Sequence, residues 1–143
     1  MAVIQLPAGA ALIRVSTAVG ERVLEARAAS GCTALQLQAL RVARVGPTMT
    51  ELVERLGVSK SSATSVVDQL VAAGLATRQV DIEDRRRQRV RPTTAGDDVL
   101  DRFDERIRLR VHELVDGLSE RQQRRLFALL RGIPDSVGLL PLA

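Results

Sequence analysis

Aromatic residues are almost absent from this chain of 143 residues, which contains two Phe and neither Trp nor Tyr. The core must therefore consist of Leu, Val, Ile and Ala, a mixture that suits closely packed helices. Long apolar runs are missing too, since none approaches the roughly 20 residues that a membrane-spanning helix needs. The N-terminus also lacks the basic segment of a signal peptide. We predict a soluble, cytoplasmic protein without a membrane segment.

Side chains suited to catalysis and metal binding are scarce as well. The chain has one histidine, His112, one cysteine, Cys32, and no glycine-rich phosphate loop. These residues do not assemble a convincing nucleophile–base pair or nucleotide cradle, and a single imidazole without cysteine partners makes no convincing zinc site. A lone cysteine cannot form an internal disulfide, which fits a reducing cytoplasm. We expect no enzymatic activity, no cofactor and no bound metal.

Positive charge is concentrated in one short segment. The net charge of the chain is +4, and residues 78–91 contain six arginines against three acidic residues, a net charge of +3. A basic segment of this kind permits a polyanionic partner without proving one.

The first half of the chain predicts four helices. Apolar residues recur at helical spacing over residues 10–28, and Thr33 is a candidate N-cap for a second helix that runs to about residue 45. After Gly46 and Pro47, Thr48 or Thr50 can cap a short amphipathic helix that ends before Gly57. Ser59 then caps another helix, which Gly74 ends. Two short helices joined by a tight glycine-containing turn indicate a helix-turn-helix.

The second half predicts a β-hairpin and two further helices. Residues 75–80 and 88–91 read as paired strands, and the charged segment 81–87 suits an exposed hairpin loop. Thr93 or Thr94 begins a long helix with apolar positions as far as Leu118. Ser119 and Gln122 have the spacing of a capping box for a last helix, which Pro134 closes.

The predicted fold is mainly α with a small β-hairpin wing, an α+β winged helix-turn-helix with flanking dimerisation helices. We divide the chain into an N-terminal dimerisation helix (1–31), a DNA-binding core (32–95) and C-terminal dimerisation helices (96–143), all forming one intertwined domain per subunit. Long amphipathic helices at both ends, which the winged core alone cannot cover, favour a homodimer.

Residues 48–96 resemble the DNA-binding core of MarR-type regulators. The similarity lies in the Leu-Gly-Val-Ser-Lys turn, the Val-Asp-Gln-Leu helix end, the Ala-Gly-Leu exit, the Asp84-Arg85-Arg86 wing tip and the Thr-x-x-Gly that opens the next helix. The resemblance implies a dimer with interlocking terminal helices that represses genes from a near-palindromic operator on double-stranded DNA. It also implies possible release by a small-molecule effector or an oxidant.

Three features depart from the family pattern. Ser65 stands where the family often has Arg, so one DNA contact is in doubt. Pro92 replaces a usual Leu, which puts strand pairing or packing there in doubt. The aromatic residues that line many ligand pockets of the family are absent.

Two groups of residues are the predicted DNA contacts. Small hydroxyls can reach phosphates or thymine methyls, and Gln can pair with adenine in the major groove. The recognition-helix group is Ser59, Lys60, Ser61, Ser62, Thr64, Ser65 and Gln69. Long, permanently charged side chains on a narrow hairpin suit the minor groove. The wing group is Arg85, Arg86 and Arg87, with Asp84 as the residue that orients one of them.

Each group also has an alternative interpretation that does not involve DNA. The hydroxyls can simply solvate an exposed helix, and the wing charges can pair locally in a solvated loop. Arg78, Arg89 and Arg91 suit phosphate contacts or surface ion pairs. Cys32 suits a small buried residue better than a redox sensor, because the chain has no second cysteine to resolve it. For the whole protein, the alternative is a winged-helix interaction module that docks a protein instead of DNA.

Overall fold

The computed structural model describes residues 7–133, over which the chain forms six helices and one two-stranded sheet. The elements are α1 (Pro7–Ser30), α2 (Ala34–Ala43), α3 (Met49–Leu56), α4 (Lys60–Ala72), β1 (Ala76–Val80), β2 (Gln88–Pro92), α5 (Thr94–His112) and α6 (Glu120–Arg131). The chain divides after Ile107 into two compact units, each described by itself. The predicted fold class, mainly helical with a β-hairpin wing, is confirmed. Within the described residues, no helix combines the length and apolarity that crossing a bilayer requires.

Local capping interactions set where several helices begin. The side chains of Thr33, Thr48 and Ser59 each accept a backbone N–H from the first turn of α2, α3 and α4. Thr48, rather than Thr50, is thus the cap of α3. In α3 the carboxylate of Glu51 accepts the Thr48 N–H at 2.7 Å, and this hydrogen bond lowers the pKa of that carboxyl. These caps satisfy N–H groups that have no partner inside the helix.

A left-handed glycine joins α3 to α4. Gly57 has φ +63°, which an L side chain rarely adopts, and its N–H donates to the carbonyl of Val53. The chain therefore turns within Gly57, Val58 and Ser59 before α4 begins. This is the predicted helix-turn-helix.

The core of the first unit is aliphatic, as the composition predicts. Its most deeply buried side chains are Leu40, Leu52, Leu70, Leu100, Val67 and Val90. They come from α2, α3, α4, α5 and β2, so each element of the winged core contributes to one cluster. Each buried Leu or Val contributes about 1.5–3 kcal/mol to folding.

The two strands form an antiparallel hairpin that is joined to the segment before α3. Ala76 lies opposite Pro92, and Val80 lies opposite Gln88. The N–H of Val90 also donates to the carbonyl of Pro47 at 2.9 Å. Pro92 continues the strand, and the next N–H, from Thr93, donates to the Leu75 carbonyl at 3.0 Å. Pro92, which stands where the family usually has Leu, therefore leaves the pairing of β1 with β2 intact.

The long helix α5 ends earlier than predicted. The apolar spacing suggested a helix to Leu118, but α5 ends at His112 and residues 113–118 form turns. The N–H groups of Leu114 and Val115 donate to carbonyls three residues earlier. The side-chain amide of Gln123 then donates to the carbonyls of Val115 and Leu118, at 3.2 and 3.1 Å. The turn between α5 and α6 is thereby tied to the first turns of α6.

Ser119 caps α6, with Gln122 completing the predicted capping box. None of the side chains of α6 is buried in the subunit. The predicted helix stop at Pro134 and the tail beyond it, like residues 1–6, lie outside the described part of the chain. The division into segments 1–31, 32–95 and 96–143 remains a prediction.

Candidate nucleic-acid interface

The N-terminus of α4 presents a cluster of exposed hydroxyls. Ser59 caps the helix, and its Oγ lies 2.8 Å from the Oγ of Ser62 and 3.0 Å from that of Ser61. Lys60, the single lysine of the chain, is exposed beside them. The helix N-terminus carries a partial positive charge, to which the Lys60 ammonium adds. This end of α4 is therefore suited to an anionic group such as a phosphate.

The two faces of α4 are clearly separated. Ala63, Val66, Val67 and Leu70 are buried in the core. The opposite face is a shallow, open surface lined by Lys60, Ser61, Thr64, Ser65, Asp68 and Gln69. The hydroxyl-bearing side of the helix is thus available to a partner.

Two of the predicted contact residues have hydrogen-bond partners within the subunit. The hydroxyl of Thr64 donates to the carbonyl of Lys60 at 2.8 Å. Gln69 accepts a hydrogen bond at 3.1 Å from the amide of Gln36 on α2 and donates at 3.4 Å to Ser65. The side chain of Gln69 is thereby directed toward α2, and base pairing by Gln69 would require breaking these bonds.

The loop of the wing, residues 81–87, has a defined conformation. The N–H of Asp81 donates to the carbonyl of Arg87 at 2.9 Å, and the N–H of Arg87 donates to the carbonyl of Asp84 at 2.8 Å. The carboxylate of Asp84 accepts the Arg86 N–H at 3.0 Å and lies 3.3 Å from the Arg87 guanidinium. Asp84 therefore contacts Arg87, and its role in orienting an arginine toward DNA remains a prediction. The side chains of Arg85, Arg86 and Arg87 are exposed.

The wing lies against both helices of the helix-turn-helix. Arg78 on β1 forms an ion pair at 2.6 Å with Asp68 on α4. On the other strand, Arg89 forms a β-bridge with Thr48, the cap of α3. A cleft of about 530 Å³ lies beside this contact, between the wing loop and the start of α3. It is lined by Thr48, Met49, Thr50, Glu51, Glu54, Arg86, Arg87 and Gln88. The wing arginines and the helix-turn-helix thus belong to one structural unit.

Arg89 is engaged within the wing. Its Nε donates to the carboxylate of Asp81 at 2.6 Å, and a terminal nitrogen donates to the carbonyl of Gly46 at 2.8 Å. The sequence left two alternatives for Arg78 and Arg89, a phosphate contact or an ion pair. In the subunit both residues form ion pairs.

Cys32 is half-buried and packs against the core of the winged unit. Burial raises the pKa of its thiol, an effect that a hydrogen bond with Ser30 only partly opposes. A redox-sensing cysteine needs the opposite shift. These observations favour the interpretation of Cys32 as a packing residue.

A second cleft, of about 140 Å³, lies between α1 and α5. It is lined by Ala26, Ala29, Ser30, Val99, Arg102, Phe103 and Arg106.

The single histidine, His112, lies 3.2 Å from the carboxylate of Asp116. Among residues 7–133, no group of three or more His, Cys, Asp or Glu side chains has an arrangement that could hold a metal ion.

The helix-turn-helix, followed by a hairpin whose strand pairs with the segment before α3, defines a winged-helix protein of the kind that binds DNA. Residues 30–87 match the model of the MarR family. Over these residues the chain is similar to the MarR family of regulators, and the structural likenesses below extend that similarity to most of the chain. Members of this family are DNA-binding regulators rather than enzymes.

Solved structures of regulators resemble the chain over most of its length. Wild-type MarR from E. coli, in its apo form, has a TM-score of 0.66 and 26% identity, covering 90% of this chain and 98% of that one. The regulator Tm0710 from Thermotoga maritima has a TM-score of 0.72 and 25% identity, covering 87% and 89%. The transcriptional repressor CouR, bound to a 23-mer DNA duplex, has a TM-score of 0.62 and 26% identity, covering 87% and 90%.

Proposed function

We propose that the protein is a homodimeric, sequence-specific repressor that binds a near-palindromic operator in double-stranded DNA. The observation that carries this proposal is the placement of the exposed N-terminus of α4 and the arginine-rich wing loop on one winged unit. The similarity to CouR, a repressor bound to a DNA duplex, supports the same partner. Such a regulator acts where the chromosomal DNA lies, which in a bacterial cell is the cytoplasm.

In this proposal α4 enters the major groove with its N-terminal residues toward the bases. Ser61 and Ser65 are exposed on the face away from the core and can contact base edges or phosphates. Lys60 and the helix dipole favour a phosphate near the start of the helix. Ser59 and Ser62 hold the cap and can also bond a phosphate oxygen. Thr64 and Gln69 contribute less, since both have partners inside the subunit.

The wing inserts into the adjacent minor groove. Its narrow, electronegative floor attracts guanidinium groups, which stay charged at every physiological pH. Arg85 and Arg86 are the contact residues that the geometry favours, because Asp84 already forms an ion pair with Arg87. That ion pair is exposed, so Arg87 can exchange it for a phosphate at little cost.

Dimerisation involves residues from about 5 to 30 and from about 100 to 133. Large apolar side chains are exposed on both terminal helices of the subunit. They are Leu12, Ile13, Val15 and Leu24 on α1, and Leu126, Phe127, Leu129 and Leu130 on α6. Apolar surface of this extent is unusual on a monomer and is typical of an interface.

Release from DNA by a small effector is part of this proposal on the family resemblance alone. The cleft between α1 and α5, at about 140 Å³, is smaller than the roughly 300 Å³ or more of common ligand sites. An effector therefore has to widen this cleft or bind elsewhere, including a site completed by the second subunit.

Salt titration of DNA binding tests the proposal. The affinity of the purified protein for genomic fragments, selected by footprinting, is measured by fluorescence anisotropy at increasing salt. Phosphate-driven binding predicts a linear fall of log K with log salt concentration. An affinity for DNA that is absent, or that barely responds to salt, would contradict the proposal and favour an interaction module that docks a protein.

A further inference from the structure

The base of the wing contains an ion pair that lies partly inside the protein. Asp81 is 6% exposed and is the one charged residue among residues 7–133 that is buried. Its Oδ2 accepts a hydrogen bond at 2.6 Å from Nε of Arg89, whose side chain is 35% exposed. Because the Asp81 carboxylate is nearly buried, removing its Arg89 partner would leave an uncompensated charge at the base of the wing.

Arg89 extends the pair to the helix-turn-helix. A terminal nitrogen of its guanidinium donates to the Gly46 carbonyl at 2.8 Å, while its backbone forms a β-bridge with Thr48. The segment that it contacts is itself fixed. Two residues earlier, Arg44 forms ion pairs with Asp97 and Asp101 on α5, at 2.8 and 2.6 Å.

Asp81 extends the pair in the other direction, into the wing loop. Its Oδ1 accepts the N–H of Glu83 at 2.9 Å, and its own N–H donates to the carbonyl of Arg87 at 2.9 Å. The hydrogen bond from the Glu83 N–H, and after it the hydrogen bond and charge of Arg89, lower the pKa of the Asp81 carboxyl. The carboxylate therefore stays ionised and keeps both ends of the loop in place.

We propose that Arg89 is a positioning residue for DNA binding, which acts through Asp81 and Gly46 to fix the direction in which the wing arginines project. In this role Arg89 contacts no phosphate. The inference rests on the proposed function, since it assigns a role within the same DNA-binding site. A loop held in its bound conformation before binding loses less conformational entropy on the DNA.

Arg89→Lys is the informative variant, and Arg41→Lys, which breaks a two-point ion pair with Asp104 on α5, is its control away from the wing. Both keep the net charge, so a simple phosphate contact would largely survive in each. A lysine ammonium cannot reproduce the planar fork by which Arg89 bonds Asp81 and Gly46 at the same time. We expect Arg89→Lys to weaken DNA binding about tenfold, as for other networked residues, with an unchanged salt slope. Arg41→Lys should stay close to wild type.

Hydrogen exchange of the free protein supplies a readout that does not depend on DNA. We expect the amides of Glu83, Arg86 and Arg87, which form the hydrogen bonds of the loop, to exchange several-fold faster in Arg89→Lys. Asp81→Asn should accelerate exchange of the same amides. The double variant should exchange little faster than either single variant, because both substitutions break the same Arg89–Asp81 interaction. Circular dichroism of each variant checks that the helices remain folded.

The outcomes separate the inference from the proposed function. Unchanged affinity and exchange in Arg89→Lys would overturn the positioning role. So would a loss of affinity with slow exchange and a salt slope reduced by about one, which marks a direct phosphate contact. If wild-type protein binds no DNA, the proposed function fails, while fast exchange in Arg89→Lys would still show that this pair orders the wing.

Discussion

The three consecutive arginines of the wing occupy different environments. The guanidinium of Arg87 pairs with Asp84 at 3.3 Å. Within the described part of the chain, Arg85 and Arg86 form no ion pair, so their charges are available to a partner. The backbone of Arg86 is nevertheless fixed by the Asp84 carboxylate at 3.0 Å. Because Arg86 has an ordered backbone and an uncommitted side chain, we expect it to be the wing residue whose substitution weakens DNA binding most.

Replacing Arg86 by Ala should weaken DNA binding roughly tenfold and lower the salt slope by about one. The guanidinium is lost, whereas the backbone hydrogen bond to Asp84 is kept. Anisotropy titrations measure both quantities, and light scattering checks that the oligomeric state is unchanged. Arg121→Ala, which removes an exposed arginine from α6, controls for net charge. Wild-type affinity in Arg86→Ala would remove the wing tip from the mechanism.

Cys32 should be a slow-reacting thiol. Burial raises the pKa of the Cys32 side chain above its ordinary value, so the reactive thiolate is scarce at neutral pH. We expect the rate of thiol alkylation to rise with pH through a midpoint above that of a free cysteine peptide. Peroxide at concentrations that oxidise sensor cysteines should leave DNA binding unchanged, as in Cys32→Ser. Release of DNA by peroxide in wild type alone would revive the redox alternative.

Residue roles were predictable where the interaction is local. The caps Thr33, Ser59 and Ser119 bond N–H groups three positions away, a distance that the sequence displays directly. The partners of Gln69 and Arg89 are different. Gln69 bonds a residue 33 positions away, and Arg89 bonds one 43 positions away. Only the packing of helices and strands brings such groups together, so the sequence left the role of Arg89 open.

At the scale of elements, the turn from β2 into α5 depends on close packing of backbone. Thr93 donates to the Gly74 carbonyl at 2.7 Å and accepts the Gly96 N–H at 3.1 Å. Gly96 is buried, and a Cβ on it would overlap the carbonyl oxygen of Leu75. The Thr-x-x-Gly motif of the family resemblance thus has a physical basis, in which the threonine bridges two segments and the glycine lets them approach.

Gly96→Ala should therefore destabilise the fold by about 1–3 kcal/mol, since the overlapping atom belongs to the backbone and cannot move aside cheaply. Urea unfolding followed by circular dichroism measures the change. Gly117→Ala is the control, because a Cβ there meets nothing within 4 Å. Equal stability of the two variants would show that the turn can open without cost.

The spacing of apolar residues predicted which helices form better than it predicted where each helix ends. The apolar spacing of α5 continues to Leu118, yet the helix stops at His112. Gln123 binds the carbonyls of the turn that follows, and this contact depends on the position of α6. A helical pattern in the sequence therefore says which residues share a face, while tertiary partners decide where the helix ends.

At the scale of the whole molecule, the exposed apolar residues of the terminal helices predict that the dimer is separable from the winged fold. Leu129→Asp places a charge on a side chain that is 66% exposed in the subunit. We expect a monomer with retained helical content, since that side chain contributes little to the subunit core. Light scattering and circular dichroism measure the two properties. Gln79→Asp, which adds the same charge to an exposed residue of β1 outside the proposed interface, should leave the dimer intact.

The proposed dimer also makes a prediction about DNA. Two recognition helices related by a two-fold axis should contact half-sites one helical turn apart, about 34–36 Å. Inserting about 5 base pairs, half a helical turn, between the half-sites turns them to opposite faces of the duplex and should abolish tight binding. Binding that tolerates this insertion would show that each subunit acts independently.

The single lysine of the chain has a practical consequence. Lys60 stands at the exposed start of α4, so acylating reagents that react with side-chain amines have one target, and it lies on the proposed contact surface. Mass spectrometry of the digested chain then separates this modification from acylation of the N-terminal α-amine. If a DNA duplex protects the Lys60 amine from acylation, the protected fraction gives the fraction of subunits that are bound to DNA. Acylation before DNA is added would neutralise the ammonium charge at the start of α4.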